Sequence, residues 1–158
     1  MSRMTSPGPN TPGPDTTAPA PGPRTPGSPA AGPIGTLQCV VLDCPDVLEL
    51  ATFYQRLLGG EINRPDPQWA VGDSWATLHG ASGAPVLAFQ GVADHRPPVW
   101  GAPEQQFHID VRVADLDAAH DAVIALGAWR LDAATDDENR AWRIYADPAG
   151  HPFCLVRH

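Results

Sequence analysis

The chain states one plan twice, about 70 residues apart, and a duplication of that period leaves few architectures open. Asp46 opens a helix-patterned stretch, DVLELATFYQRLLGG, and Asp115 opens a second, DLDAAHDAVIALGA. Apolar strand-like runs precede them (LQCVVLD and FHIDVRV), and short ones follow (EI and WRL). Trp75 to Phe89 then matches Trp142 to Val156: Gly83 and Gly150 stand at the same distance from their Trp, and Pro85 and Pro152 follow next but one. The order predicts two βαβββ units, 37–90 and 105–157, related by a pseudo-twofold, with equivalent positions facing each other across one concave surface. The expected fold class is α+β, with curved sheets around a cleft.

Local signals agree with the repeat. Asp46 is an N-cap candidate with Glu49 three residues on, a capping-box pattern. Val47, Leu50, Ala51, Tyr54, Leu57 and Leu58 fall on one helical face, and Gly59 is a natural stop. The second helix is expected over 116–126, with Leu116, Ala119, Val123 and Leu126 on its buried face and Gly127 ending it. A loop with Pro65 and Pro67 follows the first helical unit, and GVADHRPPVWGAPE (91–104) joins the two units.

Residues 1–35 stand apart. They hold ten of the nineteen prolines and no aromatic residue, too little apolar surface to offset the entropy of ordering. The expectation is a disordered Pro-rich tail before a folded domain at 36–158. The chain's formal charge is −8; the tail carries Arg3, Arg24 and Asp15, so the remainder is −9. There is no lysine, and the arginines are spread singly, so nucleic-acid binding is not expected. No apolar run reaches the ~20 residues of a membrane span, and no signal-type apolar segment is present. Three cysteines, Cys39, Cys44 and Cys154, make an odd count without zinc-knuckle spacing. The expected location is the reducing cytoplasm.

The runs VVLDCPDVLELATFYQRLLGGEI, FHIDVRVADLDAAHDAVIALGA and IYADPAGHPFCLV resemble the vicinal oxygen chelate superfamily, which includes glyoxalase I, extradiol dioxygenases and bleomycin- or fosfomycin-resistance proteins. The likeness is greatest to its glyoxalase-like domain branch and covers 37–157. In metal-dependent members, ligands come from the first and last strands of each unit. Transferred by spacing, the first-strand ligand is Cys39 in one unit and His108 in the other. The last-strand ligand, usually Glu, becomes Leu87 and Cys154, or Ala88 in place of Leu87 if the first unit is shifted by one residue. The resemblance thus implies a cleft lined by Cys39, Leu87, His108 and Cys154, without the usual carboxylate at either last-strand position. It also implies a homodimer.

Each of these residues has a plainer reading. His108 alternates with Phe107, Ile109, Val111 and Val113, so it is either a cleft residue or a polar residue on the outer face, with Asp110 and Arg112, of a half-buried strand. Cys39 and Cys154 are either packing residues or, with His108, a Cys₂His zinc site. Trp75 and Trp142 are equivalent sheet aromatics, with Trp75 the candidate ligand contact. The acidic run at 136–138 reads as a solvated loop.

Three functions compete: a small-molecule-binding protein with no metal; a glyoxalase-type lyase or isomerase using His108 as catalytic residue with a Cys39/His108/Cys154 metal site; and a scaffold. Without a cleft carboxylate, enediolate stabilisation has no evident source, and a lone histidine base supplies only ~10²–10⁴-fold. Binding of an unidentified small molecule, without cofactor, is therefore the leading expectation, and enzyme activity stays open.

Overall fold

Each first strand leads straight into a helix because an aspartate stands at the corner. In the computed structural model, which describes residues 35–63, 73–133 and 140–157, strand β1 (Val40–Cys44) runs into helix α1 (Val47–Leu58). Asp46 accepts hydrogen bonds on Oδ1 from Leu48 N at 2.9 Å and Glu49 N at 3.0 Å, satisfying two otherwise unpaired amides of the first turn. Gly59, at φ +75°, closes the helix where a Cβ would be strained. Then come β2 (Glu61–Ile62), β3 (Trp75–His79) and β4 (Pro85–Gly91).

The second unit repeats the order with β5 (Ile109–Val113), α2 (Leu116–Ala125), β6 (Trp129–Arg130), β7 (Trp142–Ala146) and β8 (Pro152–Arg157). Asp115 Oδ1 caps α2 through Asp117 N at 2.8 Å and Ala118 N at 2.9 Å. The two four-stranded sheets have the same order, β1-β4-β3-β2 and β5-β8-β7-β6. In each, the first strand pairs in parallel with the last, and the other ladders are antiparallel. The expected α+β fold of two βαβββ modules is what forms. The Pro-rich tail, the Pro65/Pro67 loop and the acidic run at 136–138 lie outside the described residues.

Alternation along the strands sends one set of side chains to the helices. Leu42, Leu87 and Phe89 from the first sheet, and Val111, Phe153 and Leu155 from the second, join a single apolar cluster with the buried faces of α1 and α2. An aromatic file crosses it from sheet to sheet. Phe89 stacks on Tyr54 (5.8 Å between centroids), Tyr54 meets Phe53 edge-on (5.2 Å), Phe53 meets Phe153 (5.7 Å), and Phe153 stacks on Tyr145 (5.6 Å). Burying a ring of this kind is worth roughly 1.5–3 kcal/mol, so five of them reach the size of a whole domain's net stability. The modules are therefore halves of one core.

A polar clamp fixes the same junction. Asp147, in the turn between β7 and β8, is fully buried; its Oδ2 accepts from Tyr54 Oη of α1 at 2.9 Å. Ala149 N (2.9 Å) and His151 N (3.0 Å) donate to Oδ1, and His151 Nδ1 lies 3.0 Å from Oδ2. A carboxylate buried with this many donors is satisfied. The connection between modules lies against this turn: His95 Nε2 donates to Ala149 O at 2.8 Å, and a Cβ on Gly150 (φ +93°) would stand 2.2 Å from Pro97 Cβ.

Candidate functional site

The opposite face of the second sheet carries the polar set. His108, just before β5, and Asp110 within it point to the same side by two-residue alternation. Asp110 pairs in register with Cys154 of β8, which pairs with Ile144; Trp142 pairs with Val156. His108, Asp110, Trp142, Cys154 and Val156 together line a cavity of about 280 Å³. His108 Nε2 is 3.4 Å from Asp110 Oδ1, and Trp100 meets the His108 ring edge-on at 5.6 Å. The Arg140 guanidinium lies 5.3 Å over the Trp142 ring, a cation–π contact that steadies the indole at the rim.

Cys154 is the buried member of the group. Burial first, then the neighbouring Asp110 carboxylate, push its thiol up to about 12. At neutral pH it is a protonated, weakly polar wall of the cavity and not an activated nucleophile.

One nitrogen, one oxygen and one sulfur donor, from His108, Asp110 and Cys154, lie within 4.8 Å of one another. Tetrahedral zinc with bonds of about 2.0–2.3 Å needs its donors roughly 3.3–3.8 Å apart, a distance small side-chain rotations reach. The donor set fits a borderline divalent ion, with Asp110 completing it.

The structure joins only part of the expected site. It brings His108 and Cys154 together. The third donor beside them is Asp110, whereas Cys39 is absent from the cluster and half-buried just before β1. Leu87 is corrected: it faces α1 in the apolar core, 5 % exposed, and the residue equivalent to Cys154 is Ala88. The cause is a β-bulge. Between Leu78 and His79 the β3–β4 register skips a residue of β4, so Leu78 pairs with Leu87 and Thr77 with Ala88, whereas β7 and β8 pair without a skip. Counting from the turn glycine thus slips by one in the first module only. Trp75 pairs with Gln90 away from this cavity; its repeat equivalent Trp142 lines it. The signal for Asp110 was available in the sequence as the residue two beyond His108 on an alternating strand.

Residues 39–156 match the model of the glyoxalase-like domain family, and the chain belongs to that family. Solved structures at 12–19% identity share its fold. A hypothetical protein from S. aureus superposes with a TM-score of 0.55 at 19% identity, covering 80% of this chain and 100% of that one. A possible glyoxalase from Bacillus cereus gives 0.54 at 12% identity, covering 78% and 99%. The fosfomycin resistance protein FosX from Listeria monocytogenes, solved with Mn(II) and a dihydroxypropylphosphonic acid, gives 0.52 at 15% identity, covering 78% and 90%. No curated protein matches the chain in sequence.

Proposed function

We propose that this is a small-molecule-binding protein of the vicinal oxygen chelate superfamily whose ligand seats on the second sheet against His108, Asp110, Trp142, Cys154 and Val156. The observation that carries the reading is the convergence of three polar side chains beside a half-exposed indole in one small cavity. An aromatic platform supplies contact area at low entropic cost, and a few fixed polar groups orient what binds. The same wall holds a thiol that stays protonated, so covalent chemistry has no ready nucleophile there.

The donor cluster favours a second reading, a glyoxalase-type lyase or isomerase. His108, Asp110 and Cys154 would hold a divalent ion, which supplies Lewis acidity toward vicinal oxygens when bound. His108 and Asp110 would then position the ion and the substrate at the open side. Homodimerisation is proposed from the family resemblance and a cytoplasmic location from the three unpaired cysteines; among the described residues no helix is long and apolar enough to cross a membrane.

The two readings part in one experiment on purified protein. Elemental analysis and a methylglyoxal–thiol assay, with and without added zinc, nickel and manganese, are run beside a ligand screen read by tryptophan fluorescence. Saturable quenching lost in Trp142→Ala, with no turnover under any metal, supports binding. Metal-dependent turnover abolished by His108→Ala overturns it in favour of the enzyme.

A further inference from the structure

The repeat builds the same corner twice, and the two copies differ in charge. In the second module a cavity of about 220 Å³ at the start of α2 is lined by Ala114, Asp115, Leu116, Asp117, Arg140, Arg143 and Arg157. Its counterpart in the first module is lined at the equivalent places by Pro45, Asp46, Val47, Leu48, Asp73 and Gly91. The equivalence is fixed by register: Gly91 pairs with Cys44 as Arg157 pairs with Val113, and Trp75 pairs with Gln90 as Trp142 pairs with Val156. Even the closing hydrogen bond recurs, Gly91 N to Ser74 O at 2.8 Å and Arg157 N to Ala141 O at 2.7 Å. Arg140, Arg143 and Arg157 therefore stand where the first module has Asp73, Ala76 and Gly91. The first copy shows that this corner forms without a cation, so folding alone does not require three.

We propose that this second-module cavity binds a phosphate-type oxyanion, either free phosphate or the phosphoryl end of a small metabolite. Three guanidinium-bearing residues reach it from three backbone stations, the approach to β7, its second residue and the end of β8. That arrangement suits a tetrahedral anion, which offers oxygens in several directions, better than a planar carboxylate. The carboxylates in the wall already have partners, and Asp117 offsets part of the charge of Arg143. Asp115 is turned onto the amides of Asp117 and Ala118, so those helix amides are spent as well, and Asp117 pairs with Arg143. Arg143 also donates to Leu116 O at 2.9 Å, which fixes it in the wall. Arg140 is held over Trp142 and 3.7 Å from Asp132 Oδ2. Arg157 is exposed at the mouth. The cavity shares no lining residue with the one at His108 and stands independently of the function proposed there.

The test uses the full chain at low ionic strength, with binding followed by calorimetry and thermal shift. The probes are inorganic phosphate, glycerol phosphate, and chloride at matched ionic strength. Phosphate should bind saturably and raise Tm where chloride does not. Arg157→Gly and Arg140→Asp, which copy the first module's residues, should each weaken binding roughly tenfold or more. Arg56→Ala, a distant exposed arginine, should leave it unchanged. Glycerol phosphate binding clearly tighter than phosphate assigns the site to a phosphorylated metabolite, and equal affinity assigns it to phosphate itself. Equal effects of chloride and phosphate, or undiminished binding in Arg157→Gly with the fold intact by tryptophan fluorescence, overturn the proposal.

Discussion

Cys154 shows how one residue's surroundings set its chemistry. Its thiol is driven up to about 12, and that of Cys44 up to about 11, burial being the larger cause in each; Cys39, half-buried, is raised by burial too. In the unfolded chain these thiols ionise near 9.0, so their contribution to stability is complete below that pH and is lost as pH rises through 11–12. Unfolding free energy should therefore fall with pH above about 9, and Cys154→Ser should flatten the slope; an unchanged slope would contradict the burial of this thiol. A polar residue at the module junction gives a second test. Removing the hydroxyl in Tyr54→Phe leaves the buried Asp147 Oδ2 short of a donor, at a cost of about 1–3 kcal/mol in chemical denaturation. An unshifted denaturation midpoint would mean the clamp does nothing. His108 and Cys154 could be read from spacing because both precede or follow their landmarks without irregularity. Ala88 in place of Leu87 could not be chosen, because a single bulged residue is decided by packing in the sheet and leaves no local sequence mark.

At the level of elements, the helices were the most legible parts. Aspartates 46 and 115 and an apolar stripe mark where they begin, and the observed helices start directly after these caps, at Val47 and Leu116. Capping is a local interaction that a short sequence window contains. The position of the 91–104 connection was not legible, since it depends on His95 and Pro97 meeting a turn some fifty residues away. That contact makes Gly150 a sensitive position. Gly150→Ala combines a positive φ with a Cβ 2.2 Å from Pro97 Cβ, so it should destabilise the protein by at least about 2 kcal/mol. Gly59→Ala, at φ +75° with nothing within 4 Å, should cost less. The reverse order of the two midpoints would show that the connection does not rest on the turn.

For the molecule as a whole, the shared aromatic file predicts that neither module folds alone. A fragment ending after β4 would expose Phe53 and Tyr54 on the face that Phe153 and Asp147 cover in the full chain. Circular dichroism and tryptophan fluorescence should report one coincident unfolding transition for the full chain, and the isolated fragment should lack a cooperative one. Two separable transitions would show that each repeat is a domain in its own right.

The parallel pairing of each module's first and last strands also bears on the order of events during synthesis. Val40 hydrogen-bonds beside Leu87, and Ile109 beside Phe153, so each sheet is sealed by the final segment of its module to leave the ribosome. Until that segment emerges, β1 has no strand partner and can only lead into its helix, and the long loop must close before the ladder returns any stability. Nascent chains stalled before residue 91 should therefore carry an unsealed strand edge that chaperones or neighbouring chains can occupy.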